Sequence, residues 1–543
     1  MTAAAEHAVF LGGPILTLDG PTPTYAEAVV VAGGRIVFVG GRDEALQRFP
    51  DAGVRDLGGH ALLPGFVDAH SHLLGGIDLV RQVNVGGAPV GSCRDIADVV
   101  AALVQHRDEQ AVPEGEWVVG WGYDPDTLAE SRHITRRDLD GSFPHHPVLL
   151  NHVSWHGVVL NGAALARAGI DAETPAPDGG VIARLEGSDE PAGLLMETAM
   201  LPALAALPKP DADERLARLD AVQRMYAAHG YTHAQDGLSS TDDIRLLQRA
   251  AREGRLFLDV VALASFAETD VWLGSSDFPI GAYDGHFRIA GMKALADGSP
   301  QGRTAYLTEP YLTEGPGGEA EWRGAPLVPP TALAALTSRV LAAGVQVFVH
   351  ANGDAAIDVV IAAVRDAGIT AADDRRTVMI HSQVQRADQL ADYVALGICP
   401  SYFSNHCFFW GDVHRANLGP DRAALLSPLR SAADAGLVVS NHCDFPVTPI
   451  DPFHQVWTAM ARTSRSGAVL GPDERIDGYA ALQALTSGAA YQVFEEDRKG
   501  KIAAGLLADL VILSRDPLAA GVEGIRDVVV VETIKEGVTV HRR

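Results

Sequence analysis

A chain of 543 residues exceeds one ordinary domain, and with 47% hydrophobic residues it has material for a sizeable core, which excludes a disordered protein. A formal charge of −26 excludes the basic face that nucleic-acid binding needs. No run of about 18 uninterrupted apolar residues offers a membrane span.

The first residues, Met1 to His7, lack the basic start and apolar stretch of a signal peptide. Cys93, Cys399, Cys407 and Cys443 have no zinc-finger spacing and are too few to staple so long a chain. They read as free thiols of a cytoplasmic protein. Residues 8–60 hold short β-rich runs (Ala8–Leu11, Ile15–Leu18, Ala28–Val31, Arg35–Val39), punctuated by Gly-Gly pairs at 33–34 and 40–41 that suggest hairpins. The far end is also β-rich, at Ala508–Leu513 and Val528–Val531. A small β-domain is therefore expected from residues 1–62 and 500–543.

From residue 66 onward apolar strands alternate with helix-length Ala/Leu-rich stretches. Strands are predicted at 64–69, 231–235, 257–264, 287–295, 345–350, 377–381, 397–402 and 437–440, with helices at 331–343, 354–366 and 386–396. Such alternation suggests an α/β fold of the (β/α)8 TIM-barrel type over 63–499. The interval of about 80–230 is too long for one connection and reads as an insertion after the first barrel strand, covering one side of the mouth.

Barrel enzymes place their chemistry at the carboxyl ends of strands. Here those ends carry His70 and His72, Lys293, His350, His381 and Asp444. The pair His70-Ser71-His72 ends an apolar run, and alternate residues of a strand face one side, which brings two imidazoles together. Each residue alone has a bland reading: a core or rim histidine, a lysine snorkelling to solvent, an aspartate in a turn before Pro446. Six of them at predicted strand ends point to a metal centre.

Lys293 lies inside the apolar run Ile289–Leu295. An ammonium beside divalent ions is repelled, so the residue cannot serve there charged. A neutral lysine reacts with carbon dioxide to give an anionic carbamate whose two oxygens suit a bridge between two ions. Asp444 suits an ion ligand that also accepts a proton, and two ions sharing a hydroxide would supply a nucleophile near neutral pH.

These motifs make the chain similar to the amidohydrolase superfamily, and within it to the YtcJ-like group related to N-substituted formamide deformylase. Leu63 to His72 resembles the strand-one motif, Lys293 to Thr304 (KALADGSPQGRT) the strand-four block, His350-Ala351-Asn352-Gly353-Asp354 the strand-five block and His381-Ser382-Gln383 the strand-six block. Gly500 to Val511 resembles the signature that returns the chain to a terminal β-sandwich. The resemblance implies two divalent ions, zinc foremost. His70, His72 and Asp444 would hold one ion, His350 and His381 the other, and carbamylated Lys293 would bridge them. It also implies substrate contacts for His156 and Arg303, and a homodimer. His156 has a structural reading beside the catalytic one. The aromatic stretch Asn405 to Asp412, with Trp410, either walls an apolar pocket against substrate or packs the insertion. The chain departs from the pattern in having His442-Cys443 before Asp444, where relatives carry Gly-Ser, and Ala355 where an arginine is common.

The expected activity is hydrolysis of a C–N bond in an amide, formamide, carbamate or cyclic amide by a metal-bridging hydroxide, with Asp444 and His156 as catalytic groups and a small molecule as substrate. The alternative is a one-metal aminohydrolase that deaminates a heterocycle. That reading leaves Lys293 idle and finds no glutamate just after His350. A non-catalytic scaffold conflicts with the complete ligand set.

Overall fold

A computed structural model describes residues 7–79, 81–208 and 210–543, which contain three sheets. The largest core surrounds eight parallel strands: β1 (Phe66–Val67), β2 (Tyr231–Ser239), β3 (Asp259–Ser265), β4 (Phe287–Leu295), β5 (Gln346–Ala351), β6 (Val378–His381), β7 (Cys399–Tyr402) and β8 (Ser440–Asn441). They pair in that order. The ends meet where Asp444 N–H donates to His70 O (3.2 Å) and His72 N–H to Phe445 O (2.7 Å). Parallel strands joined into a ring in this way make a TIM-like barrel. Strands such as VMIH are buried along their whole length, as a parallel sheet covered by helices requires.

Most predicted strands and helices lie within a few residues of those found. The first and the last strand differ most. Pro64 pairs with Leu510 in the terminal sheet, so β1 begins only at Phe66. Leu437 donates to Ala432 O (3.1 Å) at the end of the helix Leu429–Asp434, which delays β8 to Ser440.

The turn between Pro64 and Phe66 needs glycine. A Cβ on Gly65 would stand 2.4 Å from Thr232 Cγ2, and its N–H reaches Asp509 O at 2.8 Å. The chain thus passes from one sheet into the other where their backbones nearly touch.

The two chain ends share one eight-stranded sheet. Ala61–Pro64 runs antiparallel to Leu510–Leu513, and Ala8–Leu16 lies beside Ala61–Pro64 and Tyr25–Ala32. Alternation sorts its side chains: Phe10 and Ile15 join Leu62 and Leu510 on one face, while Val9 and Leu11 join Ala45 on the other.

Residues 68–230 leave the barrel between β1 and β2 and build a six-stranded sheet from Val83 to Glu197. The helix Ile96–Glu109 covers one face, started by Asp95, whose carboxylate caps the Asp98 N–H at 2.8 Å. Trp410, from the barrel, donates its indole N–H to Asp124, just past the strand Val118–Tyr123 of this sheet (3.1 Å), and packs with Val153, Phe403 and Phe409. No described helix is long and apolar enough to cross a membrane.

Candidate metal centre

His70, His72, Lys293, His350, His381 and Asp444 converge at the carboxyl ends of the barrel strands. His70 Nε2 and His72 Nε2 lie 3.6 and 3.5 Å from Asp444 Oδ1. His350 Nδ1 lies 3.0 Å from His381 Nε2, and Lys293 Nζ 3.0 Å from His70 Nε2. His381 Nε2 is 3.9 Å from Asp444 Oδ2. His70, His381 and Asp444 offer three buried donor atoms all within 4.8 Å of one another.

Local backbone, more than strand alternation, aims the first pair. The strand stops at Val67, so the expected shared strand face does not carry His70 and His72. Instead Asp68 pins the loop, accepting from Ser71 Oγ (3.0 Å) and from Gln235 N–H (3.2 Å). Gln235 Oε1 faces His70 Nδ1 at 2.8 Å, so Nδ1 carries the proton and Nε2 is left with its lone pair. Gly237 makes room for the ring, since a Cβ there would stand 2.3 Å from His70 Cε1. Register does the same work for the second pair. His350 is level with Ile380, and Ala351 with His381, which staggers the two imidazoles by one residue. His350 Nε2 lies 3.1 Å from Gly298 O, which only accepts, so its Nδ1 is the bare nitrogen.

Burial governs the charges. It holds His70, His350 and His381 well below the usual imidazole range, so all three are neutral, the form in which histidine ligates. Burial also brings Lys293 down to about 7, and among the described residues it makes no ion pair. For Asp444 burial opposes ionisation, yet its side-chain contact with His72 outweighs burial and keeps the carboxylate charged. Its Oδ1 has no hydrogen-bond partner.

Several of these residues sit in left-handed backbone, with φ of +72° at His381, +45° at Ser382 and +52° at Asp444. Each costs about 1–3 kcal/mol. The packed barrel holds them there, and the strain gathers at the strand ends that carry the cluster.

The insertion supplies His156, whose ring lies 4.9 Å from that of His350. Burial works against its charged form, but Glu197 at 2.9 Å outweighs burial and raises it above the ordinary imidazole range. Glu197 is itself strained, with φ of +52°. Arg303 lies near enough to Asp126, His133 and His152 for its charge to act on them, and its guanidinium makes no hydrogen bond among the described residues. Trp410 is fully buried against His406 and Asp124. Its contacts are those of packing between barrel and insertion, while His406 of the same stretch lines the space beside His350, His381 and Asp444.

Sequence reasoning did not single out Gln235, Glu197 or Asp297. Asp297 accepts N–H groups of Asn352, Gly353 and Tyr306 and supports the His350 loop. Only Asp297 had a signal, its place in the block after Lys293. His442 was noted as a departure; it is buried 5.3 Å from the His70 ring and 5.0 Å from the His381 ring, with both nitrogens unpartnered. A second group of donors, Asp259, His286 and Glu536, already has Lys535 paired to Asp259 (3.1 Å) and Glu536 (2.8 Å), which disfavours a cation.

Comparison with known proteins agrees with this geometry. The profile of the amidohydrolase family matches residues 53–541. The chain is 29% identical to the putative amidohydrolase YtcJ of Bacillus subtilis over 99% of both proteins. It is 30% identical to the N-substituted formamide deformylase of Arthrobacter pascens over 95% of each. Among solved structures, a metal-dependent hydrolase of Pyrococcus horikoshii shares the fold with a TM-score of 0.74 at 23% identity, covering 99% of this chain and 100% of that one. Matched over nine-tenths of its length, the chain belongs to the amidohydrolase family and is a hydrolase.

Proposed function

We propose that this protein hydrolyses a carbon–nitrogen bond outside peptides, in an amide, formamide, carbamate or cyclic amide, with two divalent metal ions, zinc foremost. One observation carries the reading: His70, His72 and Asp444 bring donor atoms together at the spacing of metal ligands. Bonds of about 2.1 Å at the tetrahedral angle put ligand atoms roughly 3.4 Å apart. His70 and His72 stand 3.6 and 3.5 Å from Asp444, too long for good N–H···O bonds, whereas His350 and His381 stand at hydrogen-bond distance, 3.0 Å. The buried, unpartnered Oδ1 of Asp444 fits the first set, because a lone carboxylate oxygen in such a place is costly without a partner.

In this reading His70, His72 and Asp444 would hold one ion, and His350 and His381 the other. Lys293, neutral in part near pH 7, adds through Nζ to the carbon of carbon dioxide and releases one proton to solvent. The carbamate so formed would be an anion able to serve both pairs of ligands. Bound there, the ions would supply Lewis acidity and a nucleophile drawn from water near neutral pH.

The protein's own groups do the rest. His156, kept charged by Glu197, donates to the substrate carbonyl oxygen as negative charge grows on it. Asp444 takes a proton and returns it to the departing nitrogen. Arg303 contacts the distal part of the substrate, and Trp410 backs that wall. The deformylase activity named for the Arthrobacter relative falls within this class.

The test is metal content per chain for wild type and Lys293→Ala, purified without chelator, joined to a screen of amides and formamides. Near two ions in wild type, with loss in the variant and turnover of an amide, is expected. One ion, unaffected by the substitution, would move the reading to a one-metal aminohydrolase.

A further inference from the structure

Against His381 and Asp444 lies a nook of about 20 Å³, room for about one water-sized group. It is polar: Ser299 Oγ and Gln301 Oε1 belong to its border, both buried and without hydrogen-bond partners. Buried polar atoms in that state call for a polar occupant. Two imidazoles close the nook, His156 from the insertion and His406 from the helix Asn405–Phe409 that follows β7.

Packing and one hydrogen bond fix the His406 ring. Its centroid lies 4.5 Å from that of Phe403 and 4.7 Å from that of Trp410. Asn405, next to it, ties the helix start to Thr448 (2.9 Å) and Thr458 (3.0 Å). Behind it, His406 Nδ1 lies 3.0 Å from Nε2 of the fully buried His414, with the two rings 14° from parallel. His406 Nδ1 is thereby engaged, which leaves Nε2 as the polar atom the ring can offer the nook.

The pair also fixes where the protons sit. Burial keeps both rings neutral, so a single proton lies between His406 Nδ1 and His414 Nε2. If His406 held it, His414 would carry its own proton on Nδ1, a buried nitrogen without a partner. An orphaned N–H is rarer in protein interiors than an under-used acceptor, and it is costly. The shared proton therefore belongs to His414, and the proton of His406 is on Nε2.

We propose that His406 is a second donor to the substrate carbonyl oxygen, beside His156, and that His414 is the positioning residue that keeps the His406 proton on Nε2. This rests on the C–N hydrolase reading above and adds a catalytic group to it. A space for one water-sized group, bordered by both imidazoles, puts an oxygen lodged there within reach of both. Negative charge grows on that oxygen as the carbonyl is attacked, so the contact favours the transition state over the bound substrate.

The experiment uses the zinc-loaded full chain and the best amide or formamide found in the screen. His406→Leu should lower kcat about 100-fold to 1,000-fold with KM little changed. His406→Gln, which keeps an N–H near the place of Nε2, should recover most of that loss. His414→Leu should lower kcat about 10-fold to 100-fold, as removal of a ring-orienting contact does. His414→Gln should restore it, because an N–H again faces His406 Nδ1. Zinc content per chain should match wild type in all four variants. Loss of an ion in His406→Leu would make His406 a metal ligand and overturn the proposal. So would equal losses in the Leu and Gln variants, the mark of packing, or a raised KM at unchanged kcat, the mark of a contact away from the reacting carbonyl.

Calorimetric binding of acetate to the zinc-loaded protein separates this proposal from the reading beneath it. Acetate held about tenfold or more tightly by wild type than by His406→Leu, with recovery in His406→Gln and no amide turned over, would keep the donor and discard the hydrolase reading. Amide turnover that His406→Leu leaves unchanged would do the reverse. Acetate bound alike by both proteins, without turnover, would remove both.

Discussion

Gln235 Oε1 accepts the Nδ1 proton of His70 at 2.8 Å, and that one bond decides which nitrogen of a fully buried imidazole faces Asp444. Outer contacts of this kind typically change metal affinity 10–100-fold when removed. Gln235→Leu keeps the volume and deletes the acceptor. Zinc affinity, measured by competition with a chelator, should fall by about that factor while the fold is retained. An unchanged affinity would mean that packing alone orients the ring.

Gly237 allows the same imidazole to lie against β2. In Gly237→Ala the new Cβ would stand 2.3 Å from His70 Cε1, on a ring held by Gln235, and 2.9 Å from the backbone Ser71 O, so neither neighbour yields cheaply. Overpacking in a closed site costs about 1–3 kcal/mol. Thermal unfolding should shift down by a few degrees and zinc retention should fall with it. Stability lost without any loss of metal would show that the loop shifts as a unit.

Lys293 gives the metal-free protein a pH signature. Its amine sits near 7 in the fold and near 10.4 in an unfolded chain, so between those values the unfolded state binds more protons. Stability of the metal-free protein should therefore rise with pH from about 7 to about 10, by an amount of order a few kcal/mol. Urea unfolding in carbonate-free buffer at the two pH values should show this for wild type. Lys293→Met should lose the rise, and a rise that persists would assign it to other groups.

How far the sequence reaches depends on what carries each feature. The barrel was legible because its strands are apolar runs of the right length, and the six candidate ligands because they fall at the ends of those runs. The aim of His70 was not, since it comes from Asp68 and Gln235 on two different segments. Glu197 had no local signal at all: it meets His156 only through sheet pairing inside the insertion. Trp410 could be read either way, because an aromatic-rich stretch looks alike whether it lines a pocket or seals an interface. The choice follows from Asp124, far away in the chain and hydrogen-bonded to its indole.

Trp410 therefore offers a sharp test of packing against binding. Replacing a fully buried tryptophan by alanine costs about 3–5 kcal/mol. Trp410→Ala should show that loss by denaturant unfolding, while Trp410→Phe, which keeps most of the ring and removes the bond to Asp124, should cost about 1–3 kcal/mol. A large rise in KM with stability intact would instead make Trp410 a substrate contact.

The pair His156–Glu197 fixes the last expectation, on the alkaline side of the pH profile. Glu197 lifts the His156 pKa above its ordinary value, so the charged imidazole is present below that raised value and is lost as pH climbs through it. If the charged form donates to the carbonyl oxygen, kcat/KM falls along that alkaline limb. Glu197→Gln removes the countercharge and leaves burial, which lowers the pKa. The limb should move to lower pH, and activity along it should drop about 100-fold or more, the scale of a lost proton donor. His156→Asn should flatten the limb and cost a similar factor at its plateau. A limb that stays in place in Glu197→Gln would assign it to Lys293 or to the nucleophile, and would reduce His156 to a wall of the nook.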